Sequence, residues 1–366
     1  MITDLKDKIS TVQATLTVAS TIIGVGILTL PRTVTEAMGT PDAWMAVLLG
    51  GMIAMAAGYV LIKLNEKFPE KTFYQYSELI VGRFLGRVFS LLLILHFALF
   101  AGFEVRMLAE LVRTYLLHKT PIELIVITFL GAGIYLVVGG VNPLVRLLEA
   151  HFPIIIFLAA VIVSLSFREV ELENLRPVLA KGLKPLVKGI KATTLSYTGY
   201  ESMLILTAFM KKRHQAVKTI LVGVGIPMIL YTVIVIVAVG ALTVEEVKTL
   251  TWPLATLSVE IELPGGIIER FEVVFIVLWI LIIYTSFVVP YYLSGLGLGQ
   301  IFKRDINSFM YGLLLVIYLV AMVPPDINTV FKLGDLIGYT GLVAGGLVPF
   351  ILLGIASIRG INDEKN

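Results

Sequence analysis

Apolar residues along this chain gather into long runs, separated by short stretches rich in charge, proline or glycine. Counted between those breaks, the runs cover about 9–30, 43–64, 87–116, 121–139, 149–167, 188–210, 217–242, 270–298, 307–323 and 335–358. A run of about 20 apolar residues, wound as an α-helix, matches the hydrocarbon thickness of a bilayer. The pattern therefore predicts an all-α membrane protein with ten spans and no strand-rich region. No linker is long enough to divide the chain, so residues 1–366 are expected to form a single transmembrane domain. Lys6 and Lys8 ahead of the first run give it the look of a signal peptide. The run exceeds the roughly 7–15 residues of a signal core and no A-x-A site follows, so it reads as the first span.

Composition changes the picture in one direction. Hydrophobic residues make up 57% of the 366, charged residues only 15%, and the mean hydropathy is +0.93. A soluble chain averages about 45–50% apolar and about 25% charged. With so few polar side chains to cover a water-facing surface, lipid must be the solvent for most of the chain. The absence of cysteine excludes disulfides, thiolate metal sites and a cysteine nucleophile. The four histidines, His96, His118, His151 and His214, lack metal-ligand spacing. Phosphate-loop, zinc-protease and serine-hydrolase motifs do not occur. A net charge of +3 gives no reason to expect a nucleic-acid partner. No enzymatic activity, cofactor or metal is expected.

Lysine and arginine in the connections set the orientation. With a cytoplasmic N-terminus, the inner segments hold Lys63, Lys67, Lys71 and the cluster Lys211-Lys212-Arg213, and are the more basic side. Both termini are then cytoplasmic. Two outer connections are long, about 168–187 and 243–268. The second opens on Thr243-x-x-Glu246, a capping-box pattern. It predicts a short amphipathic helix on the membrane surface, ending at Pro264-Gly265-Gly266.

Two spans are interrupted near their centres. The first contains Gly24-Val25-Gly26, and each glycine weakens a helix by about 1 kcal/mol relative to alanine. The sixth contains the polar patch Ser196-Tyr197-Thr198-Gly199-Tyr200-Glu201-Ser202. The interruptions lie five spans apart. Because five is odd, a second five-span repeat begins on the opposite side of the membrane, which makes an inverted repeat of about 9–167 and 188–358. Broken helices at matched positions point to a transporter-type binding site. Such breaks free N–H groups at a positive dipole end and C=O groups at a negative one. The first suits a carboxylate and the second an ammonium, so a zwitterionic amino acid satisfies both. Glycines that serve only close helix packing are the alternative.

These residues also carry a resemblance. Gly24-Val25-Gly26-Ile27 resembles the glycine-rich first-helix motif of the amino acid–polyamine–organocation transporter superfamily, and Tyr197-Thr198-Gly199-Tyr200-Glu201 its sixth-helix motif. Four further stretches are similar to one branch, the spore germinant receptor B subunits. They are Gly26-Ile27-Leu28-Thr29-Leu30-Pro31-Arg32, Asp42-Ala43-Trp44, Phe68-Pro69-Glu70-Lys71-Thr72 and Pro290-Tyr291-Tyr292-Leu293-Ser294. The similarity spans essentially the whole chain. It implies a LeuT-like core with broken helices 1 and 6. It also implies a sensor of small germinants in the inner membrane of spores, working with a larger membrane A subunit and a lipoprotein C subunit. Some members of the superfamily place a lysine in span five; residues 149–167 hold none, which argues against that form of coupling.

A charge near the bilayer centre costs about 2.5–3.5 kcal/mol on insertion scales, so each needs a partner or a purpose. Glu201 follows the sixth-helix break and is a candidate for proton coupling or gating, or for holding freed N–H groups. On span three, Arg106, Glu110 and Arg113 share a face and read as an ion-paired stripe. His96, Phe100 and Glu104 share another, which lines a central cavity or forms a packed seam. Phe100 and Phe103 are candidate walls, and Glu104 a second coupling or gating group. On span eight, Tyr284 and Val288 share a face and Thr285 offers a hydroxyl. The candidate ligand site is thus Gly24, Val25, Gly26, Ile27, Phe100, Phe103, Tyr197, Thr198, Gly199, Tyr284, Thr285 and Val288. A germinant receptor subunit is the first functional expectation, a proton-coupled or facilitated amino-acid permease the second.

Overall fold

A computed structural model describes residues 7–260 and 271–361. Among the described residues helices are the only regular elements, apart from one isolated parallel bridge between Ile9 and Met210. Among the described residues six helices are long and apolar enough to cross a membrane, one bent pair meets the same test taken together, and three shorter apolar helices complete the set. The ten spans expected from the sequence are all accounted for.

The first span is α1 (Thr11–Ile22) and α2 (Gly26–Met38), which meet at a bend of 51°. Ser10 and Gln13 form a reciprocal capping box that fixes the start of α1. Span two is α3 (Ala43–Glu66). A short helix, α4 (Phe73–Val81), follows it and is tied back by Tyr76 Oη donating to Asn65 Oδ1 at 2.7 Å. Span three, α5 (Arg83–Tyr115), has 33 residues and so is about 50 Å long. It is the central post, with α12 lying along it. Its C-terminal end carries the expected ion-paired stripe. Glu110 joins Arg106 at 2.9 Å and Arg113 at 3.0 Å, and Arg106 also donates to the Ala321 carbonyl.

Spans four and five are α6 (Ile122–Val137) and α7 (Val141–Ser166). Helix α7 starts eight residues before the expected 149. The polar residues that hid its first turns are satisfied: Asn142 donates to Asp7 Oδ1 at 2.7 Å, and Glu149 accepts from Gln13 at 2.9 Å. Span six is α8 (Lys184–Ala192) and α9 (Met203–Phe209), separated by irregular turns and a short 3-10 stretch. Span seven, α10 (Ala216–Thr249), kinks at Thr243, whose φ is 65°. Residues 244–249 therefore form a separate helical turn, and α11 (Pro253–Glu260) follows. The expected stop at Pro264-Gly265-Gly266 lies outside the described residues. Spans eight and nine are α12 (Phe271–Phe302) and α13 (Ile306–Met322). Span ten is α14 (Ile327–Gly341) and α15 (Val348–Arg359), joined by a π-helical turn over Leu342–Leu347. It begins before the expected 335 because Asp326 caps it, accepting from Thr329 N at 2.9 Å.

Both ends of the helix cluster are strapped. At one end Ile9 pairs with the end of span six: Ile9 N donates to Phe209 O and Lys211 N to Ile9 O, each at 2.9 Å. At the opposite end the 168–187 connection is anchored by Leu179 N to Asp42 Oδ2 and by Asn174 to Gly240 O.

Candidate functional site

The two helix breaks touch. A Cβ built on Gly26 would lie 2.9 Å from Ser196 Cα, and one on Gly199 would lie 3.0 Å from Ile22 N. Backbone therefore meets backbone at both crossings, at Gly26 closer than a side chain allows and at Gly199 tighter than nearly all side-chain contacts. Gly199 also has φ 127°, a conformation open to glycine alone at this packing. These two contacts explain why the sequence places glycines there.

The dipole ends exposed at the first break are closed by the chain itself. Tyr231 Oη donates to the Ile22 carbonyl at 2.6 Å, at the C-terminal end of α1. Val25 N–H, at the start of α2, donates to both carboxylate oxygens of Glu104 at 3.3 Å. Ser286 Oγ donates to Glu104 Oε2 from the α12 side. Glu104 is 1% exposed. The expectation that a ligand carboxylate meets the amides around Gly24–Ile27 is thereby altered, because an internal carboxylate already holds the Val25 amide.

The second break has its own carboxylate. Gly199 N–H donates to Glu201 Oε2 at 2.8 Å and to Oε1 at 3.0 Å. Glu201 Oε1 also lies 2.9 Å from His96 Nε2, and His96 Nδ1 lies 2.8 Å from Thr340 Oγ1. Thr340 Oγ1 is itself 3.0 Å from the Ile337 carbonyl. If the threonine proton goes to that carbonyl, His96 Nδ1 must be the donor to Thr340. One proton then lies between Nε2 and Glu201, on either partner. Helix α5 thus serves both breaks from one face. His96 reaches the sixth-helix break, and Glu104, eight residues on and about 12 Å along the axis, reaches the first.

The other expected residues divide. Val25, Gly24 and Gly26 form the first break and its immediate flank, and Ile27 is buried beside it. Phe100 is buried 6.4 Å from the His96 ring, and Phe103 packs where a side chain on Gly334 would stand. Tyr197 turns toward span two, its hydroxyl donating to Val47 O at 2.7 Å. Thr198 donates to Thr194 O in its own segment. Thr285 donates to Ile282 O, and Val288 is fully buried. Tyr284 points away from the breaks, donating to Ala132 O and standing edge-on to Phe129. On α12 the residue that reaches the first break is Ser286, one position beyond Thr285.

Sequence reasoning also missed Tyr231, Thr340 and a glycine seam on span ten. Gly334, Gly338, Gly341 and Gly345 lie against Phe103 and the sixth-helix break. Their spacing of four, three and four residues is a helical face of small residues, and that signal was present in the sequence. A cavity of about 260 Å³ lies beside Tyr197, Thr198, Tyr200 and Gly341, and another of about 210 Å³ beside His96 and Thr340.

Comparison with known proteins places this arrangement. A family model described as spore germination protein matches residues 8–330. "Spore germination protein YndE" of Bacillus subtilis (strain 168) is 43% identical over 352 residues, covering 96% of this chain and 97% of that relative. "Spore germination protein A2" of the same organism is 36% identical, with 96% of each chain covered. Among solved structures, MhsT in complex with L-phenylalanine aligns with a TM-score of 0.70 at 12% identity, covering 96% of this chain and 99% of that one. Mhp1, a nucleobase-cation-symport-1 family transporter, aligns with a TM-score of 0.69 at 12% identity, covering 96% and 94%. Those two show the fold, a LeuT-type transporter core with broken helices 1 and 6. The match over most of the chain, with relatives at 43% and 36% identity along nearly their full lengths, shows that this protein is a member of the spore germination protein family.

Proposed function

We propose that the chain is the ligand-binding subunit of a germinant receptor in the inner membrane of spores, with both termini in the cytoplasm. Its ligand is a small germinant, an amino acid, held at the bilayer midplane between Gly24–Ile27 and Tyr197–Gly199. The observation that carries this reading is the crossing of the two breaks at Gly26–Ser196 and Gly199–Ile22, which gathers freed backbone groups and two buried carboxylates around one post, α5. The transporter-type fold supports the site, and the family's role in germination supports the purpose. Binding there biases the helix arrangement by its difference in affinity between two states, and by no more than that. Glu201 and Glu104 are the groups through which ligand arrival is passed to α5, the shared post. The larger A subunit and the lipoprotein C subunit receive the change.

Deleting the gene from its host tests this. Spores lacking the chain are expected to lose the response to one nutrient mixture while still germinating with agents that bypass receptors. An unchanged response to every nutrient, with the chain verified as present in wild-type spores, contradicts the proposal.

A further inference from the structure

Glu104 stands where a ligand's own carboxylate would stand. Its oxygens accept hydrogen bonds from the Val25 amide and from Ser286 Oγ, and a Cβ on Gly24 would lie within 2.9 Å of both oxygens. Two carboxylates cannot share that one amide in a low-dielectric site without strong repulsion. Among the described residues no lysine, arginine or histidine makes an ion pair with Glu104; His96 is engaged with Glu201, and Arg106 with Glu110. A buried carboxyl group near the midplane without a cation in its own chain is a place where a cation from outside would stabilise the ionised form. Ile23 and Ile27, on either side of the break, also line a largely apolar cavity of about 20 Å³, together with Ile155 and Ile282. Ile282 lies one turn before Ser286 on α12, so the cavity adjoins the helix face from which Ser286 reaches the Glu104 carboxylate. That volume holds about one small group.

We propose that Glu104 is a ligand-binding residue that accepts the ligand's ammonium, so that this subunit recognises a primary amine with a short apolar group and does not require a ligand carboxylate. The inference rests on the break-site reading above and specifies its ligand chemistry. The carboxylate at the helix 1 amide is supplied here by the protein.

The test uses the purified full chain in lipid nanodiscs, titrated with alanine, alaninamide, ethylamine, propionate and lactate while thermal unfolding is followed. The three amines are expected to raise the melting temperature, and the two acids without an amine are not. Glu104→Gln, which keeps an acceptor for Val25 N–H, is expected to weaken amine binding on the order of 100-fold. Ser286→Ala leaves the charge in place and is expected to cost only a few-fold. Amine binding that survives Glu104→Gln unchanged overturns the proposal. So does a response confined to compounds that carry a carboxylate; if Gly26→Leu abolishes that response, the break site stands and only the role of Glu104 fails. No response to any of the five compounds overturns both.

Discussion

Leucine at Gly26 is expected to abolish ligand binding in the purified protein and to lower its melting temperature. The Cβ alone would lie 2.9 Å from Ser196 Cα, a backbone atom that cannot rotate aside. Leucine adds three more heavy atoms in the same fully buried crossing, so the two breaks must separate. Overpacking of a tight core typically costs about 1–3 kcal/mol. The larger effect is on binding, because the separation disperses the groups that face each other across the crossing. Alanine at Gly26 should give an intermediate loss. Leucine at Gly24 acts differently: its Cβ meets Glu104 and Ser286 oxygens 2.7 Å away, which are side-chain ends able to move. It too should abolish binding, by expelling the Glu104 carboxylate from the Val25 amide, with a smaller loss of stability. Titrations of both variants in nanodiscs check this, and wild-type affinity in Gly26→Leu is incompatible with a site at the crossing.

The second large effect is expected at Glu201. Alanine there removes the acceptor for Gly199 N–H and leaves His96 Nε2 facing an apolar gap, since both residues are at most 1% exposed. Breaking a buried pair by deleting one partner costs about 3–5 kcal/mol. Glutamine keeps an oxygen for Gly199 and can offer an N–H to a neutral His96, so Glu201→Gln should retain most of the stability. The pair with His96 is checkable by a double-mutant cycle. His96→Ala and Glu201→Ala together should destabilise by less than the sum of the two, because each alone orphans the other. Additive losses measured by unfolding would mean that the 2.9 Å contact carries no coupling. Glu201→Gln also separates the two roles expected of this carboxylate: a changed pH profile of function marks a titrating group, and an unchanged one leaves the structural role.

The spans and both breaks were legible in the sequence because each is a local property of composition. A run of apolar residues declares a membrane helix, and Gly24-Val25-Gly26 or the patch around Gly199 declares its interruption. What closes those breaks was only half legible. Glu104, Glu201 and His96 drew attention as charged or titratable groups in apolar runs, but their partners lie far along the chain. Glu104 is 79 residues from Val25 and 182 from Ser286, and His96 is 244 from Thr340. No periodicity links such positions. Aromatic character misled at Tyr284, where the stripe on α12 serves packing against α6 and the short hydroxyl of Ser286 reaches the break. Tyr231 was invisible for the same reason as Thr340: a single polar atom in an apolar span, given meaning only by the carbonyl opposite it. Span boundaries slipped where polar residues find partners, as at Asn142 and Glu149, because a satisfied polar group no longer ends a membrane helix.

The central claim is that this chain keeps a transporter's core as a receptor site. Retention and uptake of radiolabelled alanine by proteoliposomes of the purified protein, with and without an inward proton gradient, tests it most directly. The account predicts retention that saturates at about one molecule per protein copy, ignores the gradient and disappears in Gly26→Leu. Accumulation that grows past that stoichiometry and speeds up with the gradient would identify a permease and contradict the account.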